Sequence, residues 1–340
     1  MKRYSLILLV LVLATTIVLA TTTVFAAEVK KEDIKIGLIG VLHPYFAPWE
    51  QIAKDYMNET GIEVGYRATQ HFDQEEENAI IEAMQTQGYN GFAIWPGHYT
   101  ACNVTIAELA KQGIPVVAIA GPVALPTDAA LYIDEDTKKS VMKSTEELIK
   151  AMGGKGNIVS LLGALSDPDT ILRKEGVDEV VARYPGVKII AELADIDALE
   201  DATTKIGSLL GAREKEIDGI IATCYVPTLV AIKDLTEIGD KRIKLVGVGT
   251  NSDPENVQAI KDGYMTGYIS QSPLAQAWLG MEAIRLLKSG YTVKKGAFFV
   301  EIPNFYTNID NVDNYQQNQK DILNEMLRTF ATDYFNPPKK

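Results

Sequence analysis

Short apolar runs alternate along the chain with longer amphipathic segments. The first run, Lys35–Val41, is apolar after its first residue and contains two glycines, which is typical of a short strand buried on both faces. An amphipathic segment over 50–59 predicts a helix, and Thr60-Gly61 provides its C-terminal cap. Residues 62–66 alternate between apolar and polar and predict a second strand.

The alternation of strand and helix continues at intervals of about 30 residues, which indicates right-handed βαβ units on a parallel sheet. Two similar half-chains of such units predict an α/β protein with two doubly wound lobes, each with its own sheet. After residue 300 we expect a short extended run over 311–315 and a final helix. The further predicted strands cover 91–95, 116–120, 130–133, 157–162, 187–193, 219–223, 243–248 and 266–270, and the helices cover 74–87, 101–111, 137–152, 167–184, 198–213, 226–238, 253–262 and 271–289.

The amino terminus has the pattern of a cleaved secretory signal. Lys2 and Arg3 precede an apolar run over 6–20, and Val24-Phe25-Ala26 predicts cleavage after Ala26. A membrane anchor is the alternative, but the run contains threonines and is short for a membrane span. The first cysteine is Cys102, so we do not expect a lipid-anchored lipoprotein.

Charge and cysteine content exclude several classes of protein. The formal net charge is −12 and becomes −14 when the two bases of the leader are removed, which disfavours binding to nucleic acid or to an anionic membrane. Only Cys102 and Cys224 are present. Two distant thiols do not make a disulfide framework, so we expect both to be unpaired.

Candidate chemistry lies where the first strand ends. His43, Pro44, Tyr45 and Phe46 follow that strand, and ligands of open α/β sheets bind at the carboxyl ends of the strands. We therefore predict that these residues form one wall of a ligand cleft.

No set of residues predicts catalysis. A hydrolase needs a nucleophile with a positioned base and an oxyanion site, and the sequence does not provide that combination. His43, His71 and His98 lie near strand-end loops and could suggest a metal site, but their irregular spacing favours three separate polar contacts. We expect no catalytic residue, no metal and no cofactor.

A set of motifs in chain order resembles the ribose-binding-type solute-binding proteins, the type I periplasmic binding proteins of monosaccharide ABC importers. The motifs cover nearly the whole exported chain, and the ordered set is far more specific than any one of them. They are the strand ending in His43-Pro44-Tyr45-Phe46, Gly113-Ile-Pro-Val-Val117, Arg173-Lys-Glu-Gly176, Asp240-Lys-Arg-Ile-Lys-Leu-Val-Gly247, Asp262-Gly263 with Ile269-Ser-Gln271, and Asn311-Val-Asp-Asn-Tyr315.

The resemblance implies two lobes joined by a three-stranded hinge. The three crossings fall near 134–136, 270–272 and 300–303. The implied first lobe is 27–134 plus 272–300, and the implied second lobe is 135–271 plus 301–340.

The resemblance also implies ligand-binding positions in the first lobe. Tyr45 and Phe46 stand where the family stacks aromatic rings on a sugar, whose C–H face suits a flat apolar surface. His43 stands where the family often has an amide, and Trp95 occupies another binding position. Phe46 as a core residue, and Trp95 as packing beneath the cleft, are the open alternatives.

In the second lobe the resemblance implies two polar ligand contacts. Arg173 matches the family's binding arginine, whose planar fork gives two parallel hydrogen bonds. A surface salt bridge with Glu175 or Asp169 is the alternative role of Arg173. Gln271 matches the hinge glutamine, which offers a donor and an acceptor.

Several family positions have lost their polar side chains. Ala120-Gly121, Cys224 and Gly249 stand where the family has an Asp-Arg pair, an amide and a carboxylate. We therefore expect a wider, more aromatic and less charged site, which would suit a larger or deoxy sugar, a disaccharide or a furanone-type signal molecule. Cys224 itself remains a candidate contact, and possible polar substitutes are Asp134, Asp197, Asn251, His98 and Tyr225.

The predicted function is that of an exported, soluble and monomeric solute-binding protein. It would capture a small neutral ligand, most simply a sugar, by hinge closure and deliver it to an ABC permease. A receptor component that presents its ligand to a sensor kinase or a chemoreceptor would share this fold and stays open. An exported hydrolase is the alternative from another class.

Overall fold

The computed structural model describes residues 30–165, 167–249 and 254–338. The predicted leader over 1–26 and the candidate ligand contact Asn251 therefore lie outside the described residues. In chain order, the helices are α1 (Trp49–Thr60), α2 (Gln74–Thr86), α3 (Cys102–Lys111), α4 (Thr137–Ala151), α5 (Pro168–Val181), α6 (Leu199–Arg213), α7 (Tyr225–Ile238), α8 (Pro254–Asp262), α9 (Pro273–Lys288) and α10 (Tyr315–Tyr334).

Most of the strands are short and lie between these helices. They are β1 (Lys35–Val41), β2 (Glu63–Thr69), β3 (Gly91–Ile94), β4 (Val116–Ile119), β5 (Leu131–Asp134), β6 (Gly156–Leu161), β7 (Val187–Leu193), β8 (Gly219–Ala222), β9 (Lys244–Gly249), β10 (Gly267–Ser270), β11 (Thr292–Val293), β12 (Phe299–Glu301), β13 (Phe305–Thr307) and β14 (Phe335–Asn336).

Two six-stranded sheets organise the chain. The first has the order β12-β5-β4-β3-β1-β2 and is parallel throughout. The second has the order β13-β10-β9-β8-β6-β7, in which only β13 runs antiparallel to its neighbour. In each sheet the strand order reverses beside β1 or β6, as in doubly wound folds. The predicted α/β architecture with two lobes is confirmed.

Helices cover both faces of each sheet, so the central strands are buried on both sides. In the first lobe α1 and α9 pack on one face, and α2 and α3 pack on the other. In the second lobe α6 and α7 pack on one face, and α4 and α5 pack on the other. This burial explains why the strands read as continuous apolar runs. None of the helices in the described part of the chain has the length and hydropathy needed to cross a membrane.

The chain passes between the sheets at three places close to those predicted. These are the junction of β5 with α4, the junction of β10 with α9, and the segment between β12 and β13. Helix α10 adds a fourth passage. Tyr315 at its start packs in the second lobe, whereas Leu323 and Phe330 pack in the core of the first lobe.

The end of the chain therefore differs from the prediction. The predicted second lobe included all of 301–340, but β14 pairs with β11, and Phe335 is buried in the first lobe. The physical reason is the apolar face of α10, which packs against α9.

The predicted extended run over 311–315 is also wrong, because Val312–Asn314 forms a single 3₁₀ turn. Asn311 accepts a hydrogen bond from the Asn308 backbone N–H through its side-chain oxygen, at 2.9 Å. Asn308 in turn accepts one from the Asp310 N–H at 2.9 Å, and such local bonds favour a turn over a strand.

Candidate functional site

A cavity of about 390 Å³ lies between the carboxyl ends of the two sheets. Its first-lobe lining is mainly aromatic and small, and its second-lobe lining carries the charged groups. The first lobe contributes His43, Tyr45, Phe46, Phe72, Trp95, Pro96, Gly97, His98, Tyr99, Ala120, Gly121 and Pro122, and the second contributes Ala164, Asp167, Pro168, Asp169, Arg173, Asp197, Thr223, Cys224, Tyr225, Val226, Val248 and Gln271.

The loop after β1 supplies three aromatic side chains to the cavity. Pro44–Phe46 forms a 3₁₀ turn because His43 caps it: the Nδ1 atom of His43 accepts the Tyr45 N–H at 3.1 Å. That bond leaves Nε2 to carry the proton of the neutral ring. Burial lowers the pKa of His43 despite the opposing effect of Asp197, so the neutral form dominates at pH 7.

Trp95 lies at the centre of the first-lobe wall. Its ring centroid is 6.0 Å from that of Phe46 and 5.0 Å from that of Phe72. Gly121 allows this placement, since a Cβ atom there would lie 2.8 Å from the indole Nε1. Phe46 also packs edge-on against Trp49 and is 4 % exposed, so it belongs to the core as well as to the wall.

Arg173 lies on α5 at the second-lobe wall and is partly buried. Its Nη1 atom donates to the Cys224 sulfur at 3.5 Å. Among the described ion pairs none involves Arg173, and Glu175 pairs instead with Lys138 at 3.5 Å. The salt-bridge alternative for Arg173 is therefore wrong, and most of its donors remain available to a ligand.

Two carboxylates at the start of α5 also line the cavity. Asp167 caps the helix by accepting the Asp169 N–H at 3.0 Å, and Asp169 accepts the Thr137 hydroxyl at 3.1 Å. Asp169 is 7 % exposed, and burial raises its pKa to about 7 although Arg173 opposes the shift. Asp167 and Asp169 therefore bring acidic groups to a site that was expected to be less charged than those of the family, and that expectation stays a prediction.

A chain of buried hydrogen bonds connects the cavity wall with the hinge. The Tyr45 hydroxyl donates to Gln276 Oε1 at 2.6 Å, and Gln276 Nε2 donates to Asp134 Oδ1 at 2.7 Å. Gln271 Nε2 donates to the Glu135 carboxylate. Burial raises the pKa of both Asp134 and Glu135, and the like charge of Glu135 adds to the shift of Asp134.

A comparison of sequences gives a result that is consistent with the two doubly wound lobes and the cleft between them. A model of the family described as periplasmic binding protein domain matches residues 39–292. The chain belongs to this family.

Several proteins similar to this periplasmic binding protein are named for the sugar or polyol that they bind. A xylitol-binding protein of Mycolicibacterium smegmatis is 25% identical over 245 residues, which are 72% of this chain and 69% of the relative. A D-apiose import binding protein of Actinobacillus succinogenes is 23% identical over 272 residues, with 76% of this chain and 84% of the relative covered.

Solved structures share the fold. An ABC transporter solute-binding protein of Burkholderia graminis in complex with D-arabinose aligns with a TM-score of 0.76 and 20% identity, over 84% of this chain and 99% of that one. A periplasmic solute-binding protein of Actinobacillus succinogenes with bound D-allose aligns with a TM-score of 0.76 and 20% identity, over 83% and 100%.

Eight of the ten ligand contacts predicted for this periplasmic binding protein line its cavity, and their role in binding stays a prediction. They are His43, Tyr45, Phe46, Trp95, Arg173, Asp197, Cys224 and Gln271. The prediction for Asp134 is wrong: the residue is 3 % exposed behind the wall, where Tyr132 and Gln276 occupy its carboxylate. Phe72, Asp167 and Asp169 also line the cavity but were not predicted as ligand contacts. Phe72 follows β2, and the two aspartates lie at the start of α5.

The three histidines make separate contacts. His43 caps its turn, His71 pairs with Glu76 at 2.6 Å, and His98 Nδ1 accepts the Thr100 and Ala101 N–H groups at 3.2 Å. Within residues 30–165, 167–249 and 254–338, no three His, Cys, Asp or Glu side chains are placed to hold a metal ion. Both cysteines are free, as predicted, and both are buried.

Proposed function

We propose that this periplasmic binding protein captures a sugar or a related polyol between its lobes and delivers it to an ABC importer. The observation that carries the proposal is the cavity of about 390 Å³, with an aromatic wall on one lobe and, on the other, an arginine whose side chain donates a hydrogen bond to the Cys224 sulfur. The size falls within the range of small-ligand sites, roughly 300–1,000 Å³. The aromatic wall suits the C–H face of a sugar ring, and Arg173 suits adjacent hydroxyl oxygens.

Binding and hinge closure form one mechanism in this proposal. A ligand that contacts Trp95 on one lobe and Arg173 on the other stabilises the closed arrangement, because only that arrangement satisfies both contacts. The ring of His43 lies 5.7 Å from that of Tyr225 across the cleft, so the lobes also contact each other directly. The crossings at Glu135 and Gln271 are where the backbone would rotate.

The proposal includes export, action as a monomer and no catalytic step. The leader pattern over 1–26 supports export with cleavage after Ala26. The names of the relatives, which include import binding proteins, support partnership with a membrane permease.

A thermal-shift screen tests the ligand class, because a ligand that binds only the folded state raises the melting temperature. We expect pentoses, hexoses or cyclic polyols to raise it, with the affinity then measured by calorimetry. A response to amino acids or nucleosides, with none to any carbohydrate or polyol, would overturn the proposal.

Arg173→Met tests the site. Loss of the guanidinium should weaken binding by about 10–100-fold, the effect of removing charged hydrogen bonds worth roughly 1.5–3 kcal/mol. Arg183→Met is the matched control, because Arg183 lies just after α5 and pairs with Glu146 and Glu179 on the surface. Unchanged affinity in Arg173→Met would remove Arg173 from the ligand site.

A further inference from the structure

The second-lobe wall carries more negative than positive charge. Asp167, Asp169 and Asp197 line the cavity, and Arg173 is the one lysine or arginine among the described lining residues. In the described part of the chain none of these three carboxylates forms an ion pair with a basic side chain, although 18 ion pairs occur elsewhere. The charge of Arg173 acts on Asp167 and Asp169, so a single guanidinium faces three carboxyl groups in the cleft.

Each of the three carboxylates uses one oxygen for the fold. Asp167 Oδ1 accepts the Asp169 N–H at 3.0 Å, Asp169 Oδ1 accepts the Thr137 hydroxyl at 3.1 Å, and Asp197 Oδ2 accepts the Ala164 N–H at 2.6 Å. The second oxygen of each has no hydrogen-bond partner among the described residues. Asp169 is 7 % exposed and lines the cavity.

The opposite wall offers a different attraction for positive charge. Phe46, Phe72 and Trp95 line it, and no carboxylate of the described first-lobe residues reaches the cavity. The face of an aromatic ring attracts a cation, most strongly when the ring is that of tryptophan. A cleft with an aromatic wall facing unpaired carboxylates favours a ligand that carries an ammonium group over one that is neutral.

We propose that the ligand is an amino-substituted sugar or cyclic polyol, whose ammonium group binds among Asp167, Asp169 and Asp197 while its ring lies against Trp95. Its hydroxyl oxygens accept hydrogen bonds from Arg173, which explains why a cation-binding cleft keeps one guanidinium. This inference rests on the proposed function, because it assumes that a sugar-like ring enters the cleft.

Matched ligand sets test the inference by calorimetry. Each set has a parent sugar or cyclitol, its amino derivative, and the N-acetylated derivative, which keeps the nitrogen but loses the charge. We expect the amino compound of at least one set to bind about tenfold or more tighter than both neutral members, a difference of ~1.4 kcal/mol.

The outcomes separate this inference from the proposed function. If a parent or N-acetylated compound binds as tightly as the best amino compound or tighter, the ammonium inference is overturned and the sugar function stands. If nothing in any set binds, both are overturned.

Variants locate the charge recognition. Asp169→Asn and Asp197→Asn keep an oxygen that can accept from Thr137 or from the Ala164 N–H, but they remove the negative charge. Each should reduce the preference for the amino compound over its parent by about tenfold. Asp201→Asn, at an exposed position on α6, is the control and should leave the preference unchanged. An unchanged preference in both Asp169→Asn and Asp197→Asn would place the ammonium group elsewhere and contradict the inference.

Discussion

Gln276 joins the ligand wall to the hinge, and its replacement by leucine gives a quantitative test of that connection. The residue is 0 % exposed in α9, and both ends of its amide are used. Oε1 accepts the Tyr45 hydroxyl at 2.6 Å, and Nε2 donates to Asp134 Oδ1 at 2.7 Å. Leucine has a similar size and a good helix propensity, so Gln276→Leu removes the hydrogen bonds with little change in packing.

The cost follows from the groups left behind. The Tyr45 hydroxyl becomes a buried donor without its partner, and Asp134 keeps only the Tyr132 hydroxyl and the Glu135 N–H, both at 2.9 Å. An unpaired buried polar group costs about 1–3 kcal/mol, so the free energy of unfolding should fall by about 2–4 kcal/mol. For a protein of this size, that loss lowers the melting temperature by roughly 3–6 °C.

Urea unfolding and thermal melting followed by circular dichroism measure both quantities. Gln317→Leu is the matched control, because Gln317 is an exposed helical glutamine whose amide bonds only to Asp321, at 2.8 Å. It should change stability by less than about 0.5 kcal/mol. Tyr45→Phe removes one bond of the chain and should cost about 1–2 kcal/mol. A stability of Gln276→Leu within the range of the Gln317→Leu control would refute the reasoning.

Two further changes address the cleft wall and a buried acid. Gly121→Ala places a Cβ atom 2.8 Å from Trp95 Nε1, so the indole must move. Ligand affinity, measured by calorimetric titration, should therefore fall by about tenfold. Gly211→Ala is the control, because Gly211 has open space around it, and it should leave the affinity unchanged. Burial raises the pKa of Glu77 from 4.5 to about 7, so its contribution to stability is fully present below pH 4.5 and is lost as the pH rises through about 7. Wild type should lose about 3 kcal/mol more than Glu77→Gln between pH 4.5 and pH 8 in urea unfolding, and parallel pH profiles would contradict this account.

Much of the fold could be predicted because it depends on local pattern. The strands are buried on both faces and read as apolar runs, and the helices begin at residues such as Asp73, whose carboxylate accepts the Glu75 and Glu76 N–H groups at 2.8 and 2.9 Å. The prediction failed at the end of the chain, where asparagine side chains form a turn and the packing partner of α10 is distant in sequence.

In the candidate site, too, a local pattern predicts some residues, whereas contacts with residues distant in sequence could not be predicted. His43, Tyr45, Phe46 and Trp95 follow strands, so their place in the cleft could be predicted from topology. Asp134 is the last residue of β5, but Gln276, 142 residues later, binds its carboxylate, and no local pattern shows such a contact.

Asp167 and Asp169 were missed for a different reason. Asp167 looks like an ordinary helix cap, and it is one. A cap uses one carboxylate oxygen, and the sequence does not show where the other oxygen points.

The path of α10 has a consequence for how the protein is made. Most of the first lobe leaves the ribosome early, but Leu323, Phe330 and Phe335 of its core follow the second-lobe elements in the chain. The lobe therefore cannot complete its hydrophobic core until the second lobe has also been synthesised, even though amino-terminal units generally fold first. A nascent chain with an incomplete core stays open to the factors that handle unfolded polypeptides, so the position of one helix sets a minimum delay before the whole protein folds.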